Sequence, residues 1–220
     1  MVSSAVKKYA ALCMVCLCSS LFFLGLYQFN NKYSQNTIQA ANGILALSEE
    51  ELQKSPVRFL VSGWAFYPDA LLTPEEIQDE SLYMRYLSFG AQTNFSSPAN
   101  TSPYGCGTYQ MTFFLPERKE TYALEIPEVF SAYNLYLDHD LILQMGEPAQ
   151  GTPLVQNRMV TFHGGKPVTL TIAVSNYDHF YGGIVYPPAF GTMLAVNTTR
   201  GIRFAFCLFS CTVTFVCALL

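Results

Sequence analysis

Two apolar runs bracket a long stretch of alternating residues. The first, residues 9–27, reads YAALCMVCLCSSLFFLGLY and is long enough to cross the hydrocarbon core as a helix. Tyr9 and Tyr27 mark its edges, where aromatic rings with a polar tip suit the membrane interface. Lys7 and Lys8 precede it, so the excess of positive charge predicts residues 1–8 in the cytoplasm and export of the chain beyond residue 27. A cleaved signal peptide is the rival reading. The apolar run is long for one, and the nearest small-residue site, Ala40-Ala41, lies well downstream, which favours an uncleaved anchor. The second run, residues 202–220, reads IRFAFCLFSCTVTFVCALL. It holds one charge, Arg203, and no turn signal, so it predicts the start of a second transmembrane helix rather than a buried core element. Arg200 and Arg203 on the outer side run mildly against the charge rule, and a chain stopping inside an apolar run is expected to continue.

Between the runs the periodicity changes twice. Residues 28–54 predict a polar stem: Asn30, Asn31, Lys32, Ser34, Gln35 and Asn36 show no apolar period, and Ser48-Glu49-Glu50-Glu51-Leu52 can start a short helix. From about residue 55 to 200 the period becomes two. Tyr109, Met111, Phe113 and Leu115 share one face of Thr108–Leu115, and Val168, Leu170, Ile172 and Val174 share one face of Pro167–Ser175. Tyr122, Leu124 and Ile126, and likewise Tyr133, Leu135 and Leu137, alternate in the same way. Such alternation marks strands with one face buried and one wet, as in antiparallel sheets. Val57–Phe66, Tyr83–Phe89, Leu141–Met145, Arg158–Phe162 and Gly183–Tyr186 are further candidates. Short strands at this spacing, separated by Gly, Pro, Asn and Asp, predict a mainly β domain, an antiparallel β-sandwich or barrel. One helical turn fits Thr73-Pro74-Glu75-Glu76, with Thr73 as cap and Glu76 closing a capping box.

Charge and cysteine usage narrow the class. Half of the 220 residues are hydrophobic, 13% are charged and the formal net charge is −4. No cluster of Lys and Arg exists for a nucleic-acid backbone, so nucleic acid is excluded as a partner. Cys13, Cys16 and Cys18 lie in the first apolar run and Cys207, Cys211 and Cys217 in the last; Cys106 alone falls between. The middle domain therefore has no internal disulfide, and a small disulfide-stapled fold is excluded. The Cys13–Cys16 spacing matches a redox or zinc pair, but inside an apolar helix packing or lipid contact is the favoured reading.

Three stretches carry a resemblance. They are Gly107-Thr108-Tyr109-Gln110-Met111-Thr112-Phe113-Phe114-Leu115-Pro116, then Ser131–Asp140 continuing to Gly146, then Val174-Ser175-Asn176-Tyr177-Asp178-His179-Phe180-Tyr181-Gly182-Gly183. In this order they resemble the galactose-binding-like jelly-roll domains that lie outside the membrane in bacterial sensor histidine kinases and related receptors. The resemblance spans roughly residues 56–200. It implies a jelly-roll ectodomain followed by a multi-helix membrane module and an intracellular signalling output, with the central domain extracytoplasmic in a multi-pass membrane protein. The first stretch is shared with sugar-binding domains of glycosidases. The second departs from the family, with Asp138-His139-Asp140 where Asn-Gly is usual, which keeps the hairpin but removes its strongest turn signal. No kinase residue is present in the chain, so the output rests on analogy.

Candidate chemistry is sparse. Asp138, His139, Asp140, Asp178 and His179 are metal-ligand types, but neighbours on a tight turn point apart, so a turn is favoured for Asp138–Asp140 and no metal or cofactor is expected. Tyr177-Asp178-His179-Phe180-Tyr181-Gly182-Gly183 is a loop of aromatic and polar groups beside a flexible pair, where binding residues tend to lie. Aromatic faces stack on sugar rings, and Asp or His can bond hydroxyls. Tyr177, Asp178, His179 and Tyr181 are therefore ligand-binding candidates. The alternative has this loop covering the domain end or touching the membrane module, since Tyr186-Pro187-Pro188 and Gly191 lead into the last apolar run. The loop 91–107 supplies a fifth candidate, Tyr104, against the reading of a merely solvated loop. Asn94, Asn100 and Asn197 head glycosylation triplets, which matter only in a eukaryotic secretory route. Glu125 and Glu128 flank Pro127 without a catalytic partner, and no nucleophile elbow or zinc-protease helix occurs, so this chain is not expected to be an enzyme. The expected function is ligand sensing for a membrane receptor, with the membrane and an extracellular small molecule or carbohydrate as partners and a homodimer as one compatible assembly. A membrane-tethered carbohydrate-binding module and an envelope assembly protein are the rivals.

Overall fold

The computed structural model describes residues 4–33, 37–79, 81–90, 95 and 102–219, with the backbone alone for 4, 5, 30 and 216–219. It divides into two units, Met1–Gln35 and Asn36–Leu220. In the first, α1 spans Ser4–Asn30. Its stretch Val6–Phe29 is the one helix among the described residues whose length and apolarity suffice to cross a membrane. Its large apolar side chains are exposed along most of that length.

The second unit is mostly β. Its strands are β1 (Ile44–Ala46), β2 (Val57–Phe59), β3 (Trp64–Pro68), β4 (Arg85–Leu87), β5 (Gly105–Phe114), β6 (Tyr122–Ile126), β7 (Ala132–Leu137), β8 (Asp140–Met145), β9 (Arg158–Phe162), β10 (Val168–Asn176) and β11 (Ala189–Thr192). They form a larger sheet in the order β4-β3-β5-β10-β7-β8, with β1 added beside β5, and a smaller sheet in the order β2-β11-β6-β9. All pairings are antiparallel except β1 with β5. The apolar positions of that alternation are buried, but in β10 the polar face, with Thr171 and Ser175, is buried as well. Tyr109, Met111 and Phe113 from β5 and Leu170, Ile172 and Val174 from β10 join Tyr122, Leu124 and Phe190 of the smaller sheet in one apolar cluster. Phe113 meets Phe190 and Phe162 at 5.2 and 5.6 Å between ring centroids, and Tyr122 stacks on Phe190 at 5.7 Å, so the two sheets share a core. Each such ring or branched side chain contributes on the order of 1.5–3 kcal/mol by leaving water.

Several elements differ from expectation. Val57–Phe66 is two strands, not one: β2 lies in the smaller sheet and β3 in the larger, and Leu60–Gly63 crosses between them. The cross-over is fixed at Gly63, whose φ of +80 suits glycine and whose missing Cβ leaves room for the Ala40 carbonyl. Gly183–Tyr186 is not a strand. Gly183 has φ +78, Pro187 and Pro188 offer no N–H, and pairing begins only at Ala189. Tyr83–Phe89 contracts to β4. Within the segment read as polar stem stand β1 and α2 (Glu49–Lys54), with Leu45, Leu47 and Leu52 buried. Ser48 caps α2 with both halves of a capping box present, Ser48 Oγ accepting from the Glu51 N–H at 3.3 Å and the Glu51 carboxylate from the Ser48 N–H at 2.6 Å. At Thr73 one half forms, the Thr73 N–H donating to Glu76 at 2.7 Å, and the turn is a 3-10 segment, Glu76–Gln78.

The last helix, α3 (Met193–Leu219), begins nine positions before the apolar run and is continuous with it. Thr192 Oγ1 accepts from the Ala195 N–H at 3.3 Å, and the Met193 N–H donates to the Thr121 carbonyl at 3.0 Å. From there the helix runs back along the smaller sheet. Val196 is buried, Arg200 approaches Glu125 at 3.9 Å and the Arg203 guanidinium lies 4.9 Å over the Phe59 ring. Thr121 precedes the first residue of β6 and Glu125 is near its last. The first third of α3 therefore traverses the sheet from one end to the other, and the rest departs at the end that carries Phe59, Ile126 and Ala189.

Candidate functional site

That same end carries the loop singled out by sequence. Ser175 pairs with Ala132 and Asn176 with Gly105, and Ala189 pairs with both Phe59 and Glu125. The connections 127–131 and 177–188 thus lie side by side at one edge of the core. Asn176 closes β10 and organises the turn beyond it. Its amide is buried, donating to the carbonyls of Pro103 at 2.9 Å and His179 at 2.6 Å and accepting from the His179 N–H at 3.1 Å. This is an Asx-type turn, in which a side chain substitutes for the strand ladder. His179 Nδ1 accepts from the Tyr181 N–H at 3.0 Å, which places the ring proton on Nε2.

The expected binding residues separate into groups. His179 and Tyr181 come together with two rings that the sequence did not flag, Phe130 and Tyr186. Phe130 stacks on His179 at 4.6 Å with 11° between planes, and lies 6.2 Å from Tyr181 and 6.5 Å from Tyr186. Phe130 escaped notice because 127–131 shows no alternation. Tyr177 instead faces Gly151 and Cys106. Burial pushes the Cys106 thiol up, Asp69 adds to the effect, and burial likewise raises the Tyr177 phenol. Asp178 is exposed, and so is Tyr104 on the adjoining segment. Two glycines hold the loop close to the core. Gly182 packs on the Pro103 carbonyl, where a Cβ has no room, and the Gly183 N–H donates to Ser131 Oγ at 3.2 Å. Below them burial raises the Tyr109 phenol, which bonds the Ile184 backbone. The glycosylation triplets at Asn94 and Asn100 lie outside the described residues. Asn197 is exposed on α3.

A second concavity opens on the outer face of the larger sheet; sequence reasoning singled out Asp138 and His139 of its lining only as a turn, and missed the rest because they are the unremarkable outer side of the strands. It encloses about 580 Å³ and is lined by Tyr67, Ile77, Gln110, Thr112, His139 and Thr169, among others. Its floor is a hydroxyl and amide mesh: Thr112 Oγ1 and Thr169 Oγ1 are 3.1 Å apart, and Gln110 donates to Thr171 at 3.3 Å. The β7–β8 turn forms one wall. Asp138 sits at φ +52, and its carboxylate accepts from the Thr169 N–H at 2.8 Å. His139 turns the other way, to Glu75 at 2.8 Å. Glu75 is held below the usual carboxylate range first by a backbone N–H and then by His139. Asp138 and His139 thus diverge, as a tight turn requires. Among the described residues no three His, Cys, Asp or Glu side chains gather as a metal site. The cleft offers neutral donors and acceptors on its floor beside the Tyr67 ring, with Asp138 and His139 on the wall. Glu125, the other acidic candidate, accepts from Asn157 at 3.0 Å and faces Arg200 of α3.

No family model matches the chain, and no curated protein matches it. Among solved structures, part of the chain is similar to part of several glycoside hydrolases. The GH2 β-galacturonidase from Eisenbergiella tayi bound to galacturonate has TM-score 0.43 and 14% identity, over 61% of this chain and 24% of the enzyme. A GH2 member from Bacteroides cellulosilyticus gives 0.48 and 11% over 63% and 21%, and Bacteroides uniformis β-glucuronidase 3 gives 0.48 and 11% over 62% and 22%. The chain thus spans under a quarter of each of these enzymes, and at such scores no activity passes from them to it.

Proposed function

We propose that this chain is the extracytoplasmic ligand-sensing part of a membrane signalling receptor, a galactose-binding-like jelly roll strung between two transmembrane helices, with its output beyond Leu220. The observation that supports this most is α3. It is one unbroken helix whose first third is packed on β2, β6 and β11 and whose apolar side chains between Phe204 and Phe215 are largely exposed. A ligand that favours one placement of the smaller sheet then biases the helix it carries, and the shift is limited to the ligand's differential affinity for the two placements. The test uses the full chain in lipid nanodiscs, screened by thermal shift against sugars, peptides and cell-envelope fragments, with reporter fusions fixing the sidedness of each helix end. A ligand that raises the melting temperature and alters α3 accessibility supports sensing. Fusions placing both ends of α3 on one side of the membrane sink the proposal.

The second reading is a membrane-tethered carbohydrate-binding module of an envelope enzyme or assembly protein. The neutral hydroxyl and amide floor at Gln110, Thr112 and Thr169 favours it. It predicts polysaccharide binding with no change at α3.

A further inference from the structure

We infer that the aromatic connections at the α3 exit end form a bilayer-docking surface, with Phe180, Tyr181 and Tyr186 seated at the headgroup level and Phe130 and His179 behind them. The inference rests on reading the outer part of α3 as membrane-inserted. Three observations on the fold converge on it.

The first is direction. Met193 bonds Thr121 at the start of β6, Arg200 faces Glu125 near its end, and Arg203 covers Phe59. The apolar part of α3 therefore leaves from the end where 177–188 and 127–131 lie. The second is level. Tyr186 precedes Ala189 by three residues and so stands at most about 10 Å beyond the sheet. A helix climbs that far in about seven residues, which puts Tyr186 beside the opening turns of the apolar run, where Phe204, Leu208 and Phe209 are exposed. The third is chemistry. Phe180 is 73% exposed, Tyr181 46% and Tyr186 38%. These are large rings on a loop whose backbone is pinned by Asn176, Gly182 and Gly183 and cannot fold them inward. Tyrosines with a wet hydroxyl and an apolar ring are the side chains that membrane interfaces collect.

The occupant is a zwitterionic surface. Exposed Asp178 and Glu128 are matched at this same end by exposed Arg158 and Arg200, so no surplus of either sign selects a charged headgroup, and the attachment is apolar and insensitive to salt. Docking makes the domain sit on the bilayer by two points, a helix and a loop, so a tilt about the loop is converted into movement of α3.

Trp64 is the single tryptophan and is buried in the core, which supplies an internal reference. The full chain carrying Phe180→Trp is placed in phosphatidylcholine nanodiscs, with and without bromine on the acyl chains, and Phe209→Trp serves as the probe of α3. Docking predicts that brominated lipid lowers the added emission of Phe180→Trp about twofold or more, that aqueous iodide does little, and that Trp64 keeps its buried spectrum. Phe180→Trp quenched by iodide and not by brominated lipid, with Phe209→Trp quenched by the lipid, overturns the docking surface while leaving α3 in the membrane. Neither probe quenched by lipid overturns the membrane reading of α3 and the docking with it. If the Trp64 spectrum shows Phe180→Trp misfolded, Tyr186→Trp carries the same expectation and the same refutation.

Discussion

The phenol oxygen of Tyr133 is buried between the sheets without a hydrogen-bond partner among the described residues. Burial pushes its pKa up to about 12, against an ordinary value near 10; Tyr109 moves the same way for the same reason. As pH rises the unfolded chain releases these protons first. Stability is therefore complete below about pH 10 and declines as pH climbs toward about 12. Urea melts across that range should show the midpoint falling, and Tyr133→Phe should flatten the fall while costing nothing, or gaining up to about 1 kcal/mol, at neutral pH. An unchanged slope in the variant would show that the phenol is hydrated. Arg58 is the opposite case. Its buried guanidinium donates to the carbonyls of Glu51 and Ser55, each at 3.1 Å, and of Ile38 at 3.4 Å. Arg58→Met keeps the bulk and removes every donor, so about 2–3 kcal/mol should be lost in the same melts.

At the scale of elements, the cross-over Leu60–Gly63 is the sharpest point of the architecture. The Leu60 N–H donates to the Pro188 carbonyl, Trp64 Nε1 to the Leu60 carbonyl, and the Gly43 N–H to the Gly63 carbonyl, so four residues tie both sheets and the incoming chain. Gly63→Ala should cost about 3 kcal/mol through left-handed strain and the clash with Ala40; a melt within error of the parent refutes this. The sequence made β5, β6, β7, β9 and β10 legible because each alternates large apolar with polar or small residues, even though in β10 both faces are buried. It made α2 legible through Ser48 and Glu51. It hid β1, whose Ile44-Leu45-Ala46 is too short to show a period, and it hid the division of Val57–Phe66, since an apolar run reads the same whichever sheet receives it. Residues 193–201 mix apolar Met193, Leu194 and Val196 with polar Asn197, Thr198, Thr199 and Arg200, and their helix is visible only from the sheet it packs on. Of the candidate site, the loop 177–181 was legible as an aromatic cluster, but its company with Phe130 and Tyr186 depends on two connections meeting at one end.

For the whole molecule, order of synthesis matters. In the larger sheet β10 stands between β5 and β7, paired to each along most of its length, yet it is supplied after both. Until residue 176 has emerged, β5 and β7 present unpaired edges on the side where their partner will lie, and such edges recruit other chains. A chain stopped after Lys166 should therefore show no cooperative melt and should aggregate, whereas one stopped after Arg203 should melt cooperatively; a soluble, cooperative short form would contradict this.

The central position of β10 also bears on biogenesis. The last strand to pair in the larger sheet and the helix α3 are separated by sixteen residues, 177–192. Under the topology proposed above, β10 completes the larger sheet while the start of α3 is being handed to the membrane. A variant slow to insert β10 would then be caught as an open sheet beside an already released helix.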